Sequence, residues 1–240
     1  MKLIDLTLPS PAENLACGEA LLDWCENGED EEVLRFWEPR EHFVVVGYAN
    51  KITNEVNVTA CEKRDIPILR RCSGGGTVLQ GPGCLNYTLV LRITDDGPFR
   101  NISSANQFIM ERNRAAIESL FRTFNLSIGG HTDLVIGGRK FSGNSQRRRK
   151  NSLLFHGTFL LDFDLLLIGE LLQMPSKQPD YRRNRAHGEF LVNLKASAGQ
   201  LKNALAKAWN ASEELLNFPK QETHRLAVEK YSTAKWNFRS

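Results

Sequence analysis

The stretch that most constrains the fold runs from Ile68 to Ile93 and contains three consecutive glycines, Gly74 to Gly76. Glycine accepts backbone angles that other residues avoid, so this run lets the chain turn sharply and exposes bare amides to an anion or a narrow ligand. Beyond it, apolar and polar residues alternate from Leu85 to Ile93, which predicts a half-buried strand. The glycine loop is therefore expected between strands. Neither the P-loop motif GxxxxGK[ST] nor the dinucleotide-binding motif GxGxxG occurs here.

A second glycine pair marks a turn further along the chain. Gly137-Gly138 separates two short β-rich segments, which predicts a tight hairpin because both glycines tolerate positive φ. Side chains alternate along a strand, so Lys140 and Ser142 are expected on one face of the second strand and Arg139 and Phe141 on the other. This hairpin would present a lysine beside a small polar residue.

A third run, SLLFHGTFLL at 152–161, predicts a strand on which His156 and Thr158 share a face. Together with RRCSGGGTVLQGPGCLNY and TDLVIGGRKFSGNSQ, it resembles the three signatures of the lipoate-protein ligase A family, in the biotin/lipoate protein ligase catalytic-domain superfamily. Weaker similarity extends toward the N-terminus. The resemblance implies an α/β (α+β) fold, with a mixed, largely antiparallel sheet and flanking helices packed mainly on one side.

The resemblance also implies an activity, the ATP-dependent attachment of lipoate to a specific lysine of a lipoyl carrier protein. The acid attacks the α-phosphate of ATP, a lipoyl-adenylate forms, and the carrier lysine displaces AMP. A fixed ammonium would lower the barrier where carboxylate and phosphate meet, and Lys140 is the catalytic candidate. ATP and Mg²⁺ are the implied cofactors. Asp133 would hold the adenosine or Mg²⁺, since hard oxygen ligands suit that metal, or it would be a turn residue that bonds its own backbone.

Substrate contacts are expected from residues that match the three signatures. Arg71 would offer a forked donor pair to phosphate, or form a structural ion pair. His156 would hydrogen-bond the ribose or phosphate side, or serve as a structural group, and Asn86 would cap the carboxyl end of the ligand. The predicted substrate-binding residues are Arg71, Ser73, Gly74, Gly75, Gly76, Thr77, Val78, Asn86, Asp133, Ser142, Gly143, His156, Gly157 and Thr158.

Some residues depart from the family pattern and leave other functions open. Gln80 stands where many relatives place a histidine, and Thr132 where asparagine is usual. GPGCL resembles the loop of octanoyltransferases, enzymes of the same fold that use a cysteine nucleophile and no ATP, which makes Cys84 a candidate thiol. Cys84 opens a strand, however, and no cysteine lies near Lys140 in sequence, so the ligase is favoured. A non-enzymatic module that binds lipoate, biotin or a partner protein is the third possibility.

Local signals predict the remaining elements. The expected helices start from an N-cap at Ser10 and from a cap at Ser104, and the second ends near Phe124. The other predictions are a strand at 2–8, a hairpin formed by strands at 33–37 and 43–47, helices at 55–64, 164–172, 222–231 and from 197, and a polar loop at 174–190.

Composition excludes several functional classes. With 41% hydrophobic and 25% charged residues, the chain is expected to be an ordinary globular protein. A net charge of +3 is too small to predict nucleic-acid binding, and no apolar run suits a membrane span or a signal peptide, so we expect a cytoplasmic protein. The five cysteines lack CxxC spacing, which disfavours a disulfide framework and a zinc site.

Residues 1–200 are predicted to form the catalytic domain and 201–240 a short helical extension of it. Larger ligases of the family carry an additional C-terminal accessory domain, so here that domain would be vestigial, missing or supplied by a separate subunit. Two basic clusters, Arg147-Arg148-Arg149-Lys150 and Arg182-Arg183-Arg185, are expected in solvated loops. They would steer an acidic lipoyl carrier through long-range attraction that salt weakens.

Overall fold

The computed structural model describes residues 1–28, 31–121 and 125–239. Its strands are β1 (Lys2–Asp5), β2 (Val33–Trp37), β3 (Phe43–Val46), β4 (Ile68–Arg70), β5 (Val78–Gln80), β6 (Cys84–Arg92), β7 (Leu126–Gly129), β8 (Asp133–Ile136), β9 (Arg139–Arg148), β10 (Ser152–Leu160) and β11 (Glu213–Glu214). Its helices are α1 (Pro11–Glu26), α2 (Ile52–Glu55), α3 (Val58–Lys63), α4 (Ile102–Glu118), α5 (Leu165–Leu171), α6 (His187–Phe190), α7 (Ala198–Ala208), α8 (Lys220–Leu226) and α9 (Ala234–Asn237).

The described strands form two sheets. The larger has the order β11-β1-β2-β6-β10-β9-β8-β7. In it β1 runs parallel to β2 and β11, whereas each other neighbouring pair is antiparallel. The smaller sheet has the order β4-β3-β5, with β3 parallel to β4 and antiparallel to β5. The predicted mixed, largely antiparallel sheet with flanking helices is confirmed, and the glycine loop lies between β4 and β5 as expected.

Helices cover both faces of the larger sheet. Leu89 of β6 packs in one core cluster with Ile109 of α4 and Leu201 of α7. The next residue, Val90, packs with Leu21 of α1 in another cluster. Because neighbouring residues of a strand face opposite sides, α1 lies across the sheet from α4 and α7. The predictions that helices pack mainly on one side and that β6 is half-buried are therefore wrong, since both faces of β6 are covered by elements distant in sequence.

The predicted hairpin between β2 and β3 is also wrong. In the larger sheet β2 lies between β1 and β6, so both of its edges are paired. In the smaller sheet β3 occupies the centre, between β4 and β5. Pro39 lies in the connection between β2 and β3, where the chain passes from one sheet to the other. A turn signal identifies where a strand ends, but it does not specify the partner of the next strand.

Helix caps agree with prediction in α1 and differ in α4. The Ser10 hydroxyl accepts from the Glu13 amide, and the Glu13 carboxylate accepts from the Ser10 amide, which is the predicted capping box. In α4 the N-cap is Asn101, whose side chain accepts from the Ser104 amide, so Ser104 belongs to the first turn. The predicted helix end at Phe124 lies outside the described residues.

The C-terminal residues pack into the same body as the preceding chain. Helix α7 crosses the predicted boundary at residue 200, and its Leu201 and Leu205 pack with Trp209 in the main core. Further on, β11 pairs with β1 and α8 packs against α1. Among the described residues, no helix has both the length and the apolar character needed to cross a membrane. The division into two segments at residue 200 stays a prediction.

Candidate active site

A cavity of about 900 Å³ opens beside the glycine loop. Its wall combines apolar side chains, among them Val45, Leu79, Leu160 and Ile168, with polar groups from β6, β8, β9 and β10. An apolar cavity of this size with a few convergent polar groups fits a small organic ligand. The wall includes these predicted site residues: Arg71, Gly75, Gly76, Thr77, Val78, Asn86, Asp133, Lys140, Ser142, Gly143, His156, Gly157 and Thr158.

The glycine loop needs glycine both for its conformation and for its close packing. Gly75 has a φ of 84°, in the left-handed region that glycine adopts without strain. The loop passes so close to Gly47 that a β-carbon on Gly47 would lie 2.1 Å from the Gly75 carbonyl oxygen. Two predicted loop contacts, Ser73 and Gly74, are not among the described residues of the cavity wall. Ser73 is buried behind it and Gly74 faces solvent.

Arg71 fixes the shape of this loop from inside the protein. Its guanidinium donates to the Gly74 carbonyl oxygen at 2.6 and 3.0 Å and to the Gly76 carbonyl oxygen at 2.6 Å. Burial lowers the pKa of Arg71 to about 10, so the side chain is still charged at neutral pH. These contacts are made to backbone carbonyls rather than to the acidic partner that was the predicted alternative. The predicted phosphate contact stays a prediction.

His156 supports the loop from β10. Its Nε2 lies 2.6 Å from the Ser73 hydroxyl oxygen. Burial, together with the nearby Arg71 cation, lowers the pKa of His156 to about 3, so the ring is neutral at physiological pH. Thr158 follows two residues later in β10, so it lies on the same face of the strand as His156, as predicted. A neutral imidazole that already has a partner suits the structural alternative, and its contact with ribose or phosphate stays a prediction.

The Lys140 ammonium lies in the cavity wall, 2.8 Å from Asp133 Oδ1. The Tyr181 hydroxyl donates to the other carboxylate oxygen at 2.7 Å. Burial, followed by the Asp133 charge, raises the pKa of Tyr181, so this hydroxyl keeps its proton. A β-carbon on Gly143 would lie 2.7 Å from Lys140 Nζ, so a larger residue there would displace the end of the lysine side chain. The carboxylate, held at both oxygens, fixes the position of the amine.

A β-bulge brings Lys140 to the cavity face. The pairing of β9 with β8 shifts by one residue, which leaves Phe141 as the extra residue of the bulge. Beyond the bulge, Ser142 pairs with the core residue Phe159 of β10 and is itself buried. The prediction that Lys140 and Ser142 share a strand face is therefore wrong, because one extra residue reverses the alternation on one side of it.

The fit of this site to magnesium rests on Asp133. Within the described parts of the chain, no group of three or more His, Cys, Asp or Glu side chains is placed to hold a metal ion. Both Asp133 oxygens already have partners, Lys140 and Tyr181. These contacts suit a carboxylate that orients the amine. Magnesium commonly reaches such sites with substrate phosphates and few protein ligands, so a metal contact at Asp133 stays a prediction.

Gln80, Asn86 and Thr158 form a closed ring of hydrogen bonds in the cavity wall. Gln80 Nε2 donates to the Thr158 hydroxyl at 2.7 Å, and this hydroxyl donates to Asn86 Oδ1 at 2.5 Å. Asn86 Nδ2 closes the ring by donating to Gln80 Oε1 at 2.9 Å. Each side-chain amide has a second N–H donor beyond these bonds. The glutamine found in place of the usual histidine is thus integrated in the wall, and the role of Asn86 at a ligand carboxyl stays a prediction.

A buried chain of hydrogen bonds, which sequence patterns did not predict, connects the loop before β8 to the C-terminal end of α7. Asn144 Nδ2 donates to the Thr132 carbonyl oxygen at 2.6 Å, and the Tyr87 hydroxyl donates to Asn144 Oδ1 at 2.6 Å. Asn113 Nδ2 donates to the Tyr87 hydroxyl oxygen, and Trp209 Nε1 donates to Asn113 Oδ1. The Thr132 hydroxyl also donates to the Asn144 carbonyl oxygen. Threonine in place of the usual asparagine is therefore still anchored by hydrogen bonds.

The segment 174–190, predicted as a polar loop, folds against the Lys140 hairpin. It contains a 3₁₀ turn at Asp180–Arg182, which carries Tyr181, and helix α6. Arg185 donates to the Gly138 carbonyl oxygen at 2.9 Å, and the backbone just after α6 pairs with Lys140. No periodic pattern marks Tyr181 as a site residue. Only its contact with a carboxylate 48 positions earlier identifies it.

The basic clusters differ from the predicted solvated loops. Arg148 donates to the Phe99 carbonyl oxygen at 2.6 Å, and Arg149 pairs with Asp23 at 2.7 Å. Arg182 is buried with its guanidinium over an aromatic ring of α6. Several of these cations therefore stabilise the fold instead of forming a free basic surface. Steering of an acidic carrier stays a prediction.

All five cysteines of the chain are buried. Cys84, the candidate thiol, is 2% exposed at the start of β6 and packs in an apolar cluster with Val44 and Phe163. Burial raises the pKa of the Cys84 thiol to about 12. A thiolate is the reactive form of cysteine, and burial of this kind suppresses it. No cysteine belongs to the described wall of the cavity.

Comparison of the sequence with protein families matches residues 10–209 to the family described as lipoyl protein ligase A/B catalytic domain. Among curated proteins, the chain is 27% identical to octanoyltransferase LipM of Bacillus subtilis, over 99% of this chain and 98% of that protein. It is also 27% identical to lipoate–protein ligase 1 of Staphylococcus aureus, over 96% of this chain and 71% of that protein. Relatives with two different named activities therefore match nearly the whole chain.

Comparison with solved structures identifies the same fold. A chain from the structural analysis of a bipartite lipoate protein ligase and its E2 lipoyl domain from Thermoplasma acidophilum superposes with a TM-score of 0.82 at 25% identity, covering 99% of this chain and 95% of that one. Lipoate-protein ligase A bound with ATP superposes with a TM-score of 0.81 at 24% identity, covering 99% and 98%. The predicted architecture is therefore confirmed over almost the entire chain.

Proposed function

This chain belongs to the lipoyl protein ligase A/B catalytic-domain family, and from this premise we propose that it attaches lipoate to a lysine of a lipoyl carrier protein using ATP. The substrates would be lipoate, ATP and the carrier. The activated intermediate would be a lipoyl-adenylate, as the family resemblance implies.

The observation that carries the proposal is the contrast between the amine and the thiols. Lys140 presents an ammonium in the cavity wall, fixed by Asp133 at 2.8 Å. Every cysteine is buried, and the Cys84 thiol has a pKa raised to about 12. A preorganised cation stabilises charge that develops between a carboxylate and a phosphate, whereas a covalent transferase needs an accessible thiolate. The site is therefore better suited to an adenylate-forming reaction.

In the proposed reaction the lipoate carboxylate attacks the α-phosphorus of ATP, and pyrophosphate leaves. Lys140 would lie between the two anionic groups and reduce their repulsion, and it would then polarise the carbonyl of the mixed anhydride. The glycine loop would hold the acyl chain against backbone, since Gly75 and Gly76 bring no side chain into the cavity. The neutral carrier amine would attack the carbonyl, and AMP would leave with the bonding electrons.

A separate accessory polypeptide is a further part of the proposal. The chain covers 71% of the lipoate–protein ligase from Staphylococcus aureus but 95% of the chain from the bipartite archaeal system. The likeness to a chain of a bipartite ligase supports a catalytic subunit that acts with a second subunit. Magnesium would be bound with the ATP phosphates rather than by a protein cage.

An ATP-independent octanoyltransferase is the second candidate, because several relatives that match at 24–27% identity are named octanoyltransferase LipM. That reaction would place the acyl group on a cysteine as a thioester before transfer to the carrier lysine. Cys84 is the candidate for it, and the thiol would have to become exposed first. The two functions differ in their need for ATP and in the species formed on the enzyme.

One experiment separates the candidates. Purified protein is incubated with a lipoyl carrier and either lipoate plus ATP and magnesium, or octanoyl-carrier without ATP. Carrier mass and released pyrophosphate are then measured. We expect a lipoyl mass gain with pyrophosphate release in the first mixture only. A gain in the second mixture alone would reject the ligase in favour of the transferase. Lack of gain in both, with an accessory subunit supplied, would leave only a binding module.

A further inference from the structure

The last residues of the described chain, Tyr231–Arg239 (the C-terminal segment), pack against β4, which leads into the glycine loop. Trp236 Nε1 donates to the Arg70 carbonyl oxygen at 2.8 Å. The Arg70 amide donates to Asn237 Oδ1 at 2.9 Å, and Arg70 Nε donates to the Asn237 carbonyl oxygen at 3.2 Å. These bonds join residues more than 160 positions apart at the end of β4, immediately before the glycine loop.

Arg70 connects this segment to a neighbouring loop, Gly47–Asn50. The Arg70 side chain is 1% exposed, and its Nη1 donates to the carbonyl oxygens of Gly47 at 2.9 Å, Tyr48 at 3.1 Å and Asn50 at 2.8 Å. Its Nη2 donates to the Arg239 carbonyl oxygen at 3.2 Å. One buried guanidinium therefore has acceptors in the Gly47–Asn50 loop and in the C-terminal segment, and loss of either set would leave buried donors unpaired.

The Gly47–Asn50 loop in turn holds the glycine loop. The Tyr48 amide donates to the Ser73 carbonyl oxygen at 2.9 Å. Asn50 Nδ2 donates to the Gly75 carbonyl oxygen at 3.2 Å, and the backbone of Gly47 is in close contact with the same carbonyl. The connections run from the C-terminal segment through Arg70 and the Gly47–Asn50 loop to Gly75, which lies in the cavity wall.

Two cations, Arg239 and Lys230, stack on the aromatic rings of this region. The Arg239 guanidinium lies 3.7 Å from the centre of the Tyr48 ring and 4.5 Å from that of Trp236. The Lys230 ammonium lies 4.1 Å from the centre of the Trp236 ring and pairs with buried Glu19 at 2.6 Å. These contacts fix Trp236 between two cations and anchor it to α1, which contains Glu19. These contacts therefore hold the C-terminal segment in place in addition to its own short helix, α9.

We propose that the C-terminal segment is a positioning element for the glycine loop and sets the affinity of the cavity for the acyl substrate. The inference rests on the proposed function in that the substrate is a lipoyl or related acyl chain. Trp236 and Asn237 act through Arg70 and do not touch the substrate. Lys140 and Asp133 lie on the larger sheet, outside these connections, so nucleotide chemistry should be spared.

The test compares Trp236→Phe with Phe238→Ala in the full chain. Trp236→Phe keeps an aromatic ring but removes the donor to Arg70, whereas Phe238 is 56% exposed in the same segment and serves as the matched control. Steady-state ligation gives KM for lipoate, KM for ATP and kcat. Hydrogen exchange of the peptide covering Gly74–Val78, without substrate, reports loop order directly. Asn237→Ser is the second variant, and thermal melting shows that each variant is folded.

For Trp236→Phe and Asn237→Ser we expect the lipoate KM to rise about five- to tenfold, as loss of one buried hydrogen bond implies, with ATP KM and kcat nearly unchanged. Exchange at Gly74–Val78 should become faster, and Phe238→Ala should match the unmodified protein in all readouts. Unchanged exchange and lipoate KM in both folded variants would overturn the proposal. So would an equal loss in Phe238→Ala.

If the unmodified protein ligates nothing, the proposed function fails, and exchange at Gly74–Val78 still decides whether the segment orders the loop. Faster exchange in Trp236→Phe but not in Phe238→Ala would then support the positioning role. Equal exchange in both would reject it.

Discussion

Replacing Lys140 by alanine removes the one charge that the proposed chemistry depends on most. The amine lies 2.8 Å from Asp133 Oδ1, and the Asp133 side chain is only 14% exposed. Without the lysine, this carboxylate faces the cavity with Tyr181 as its hydrogen-bond partner. The local charge changes from neutral to negative at the point where a second carboxylate and a phosphate must meet.

The magnitude follows from this geometry. A unit charge about 4 Å from a developing charge is worth about 4 kcal/mol at an effective dielectric constant of about 20. The Lys140 side chain is 25% exposed, so solvent screens part of this interaction. Loss of one preorganised group of this kind typically lowers kcat by about 10²- to 10³-fold. For Lys140→Ala we therefore expect at least about a 10²-fold slower acid-dependent release of pyrophosphate, with normal thermal stability.

Two further variants separate charge from general damage. Arg139→Ala removes the neighbouring exposed cation of the same strand and should retain most of the rate. Asp133→Asn combined with Lys140→Ala restores a neutral site and should recover part of the loss. A Lys140→Ala enzyme with full activity, or one no slower than Arg139→Ala, would refute the role of the amine.

The remaining predictions concern the thiol, the histidine and one glycine. Cys84→Ser should change the rate of pyrophosphate release by no more than about twofold, because the buried thiol takes no part in the reaction. Abolished activity in a folded variant would favour the transferase. His156 has a folded pKa of about 3 against 6.5 ordinarily, so the unfolded chain binds more protons between these values and stability falls as pH drops through this window. Urea unfolding should show a slope from this group of up to about 1.4 kcal/mol per pH unit, absent in His156→Gln; equal slopes would contradict its burial as a neutral ring. Gly157→Ala should unfold or lose several degrees in Tm, because the new β-carbon would lie 1.6 Å from Asn144 Oδ1. In the control Gly169→Ala, the new β-carbon meets nothing within 4 Å, so this variant should melt normally. Equal melting temperatures of the two variants would contradict the packing around Gly157.

Local chemistry made part of the fold predictable. The capping box at Ser10, the glycine loop between two strands and the Gly137-Gly138 hairpin depend on residues close in sequence. Both hairpin glycines have positive φ, 56° and 75°, as a tight turn of this kind requires. Short-range signals therefore located the elements that carry Lys140 and Gly75.

Long-range pairing made the rest unpredictable. The bulge at Phe141 depends on the register between β8 and β9, and one extra residue reversed the expected position of Ser142. The donors of Arg71 bind carbonyls that lie near it only because the loop folds back. Tyr181 is 48 positions from its carboxylate partner, Asp133, and no periodic signal connects them.

The names of the relatives and the geometry of the site point to different chemistry. Several curated relatives are named octanoyltransferase LipM, yet no thiol of this chain reaches the described cavity wall. Overall fold is shared across this family, whereas the reactive group is local. The position of a reactive side chain is therefore a better guide to mechanism here than overall identity of 24–27%.

The most direct measurement is exchange of labelled pyrophosphate into ATP, with lipoate present and carrier omitted. Exchange requires that the acid and the nucleotide react reversibly on this protein, and it involves no thioester. We predict exchange that depends on lipoate, persists in Cys84→Ser and is lost in Lys140→Ala. Lack of exchange, together with an acyl-thioester adduct on the protein detected by mass spectrometry after incubation with octanoyl-carrier, would contradict the account.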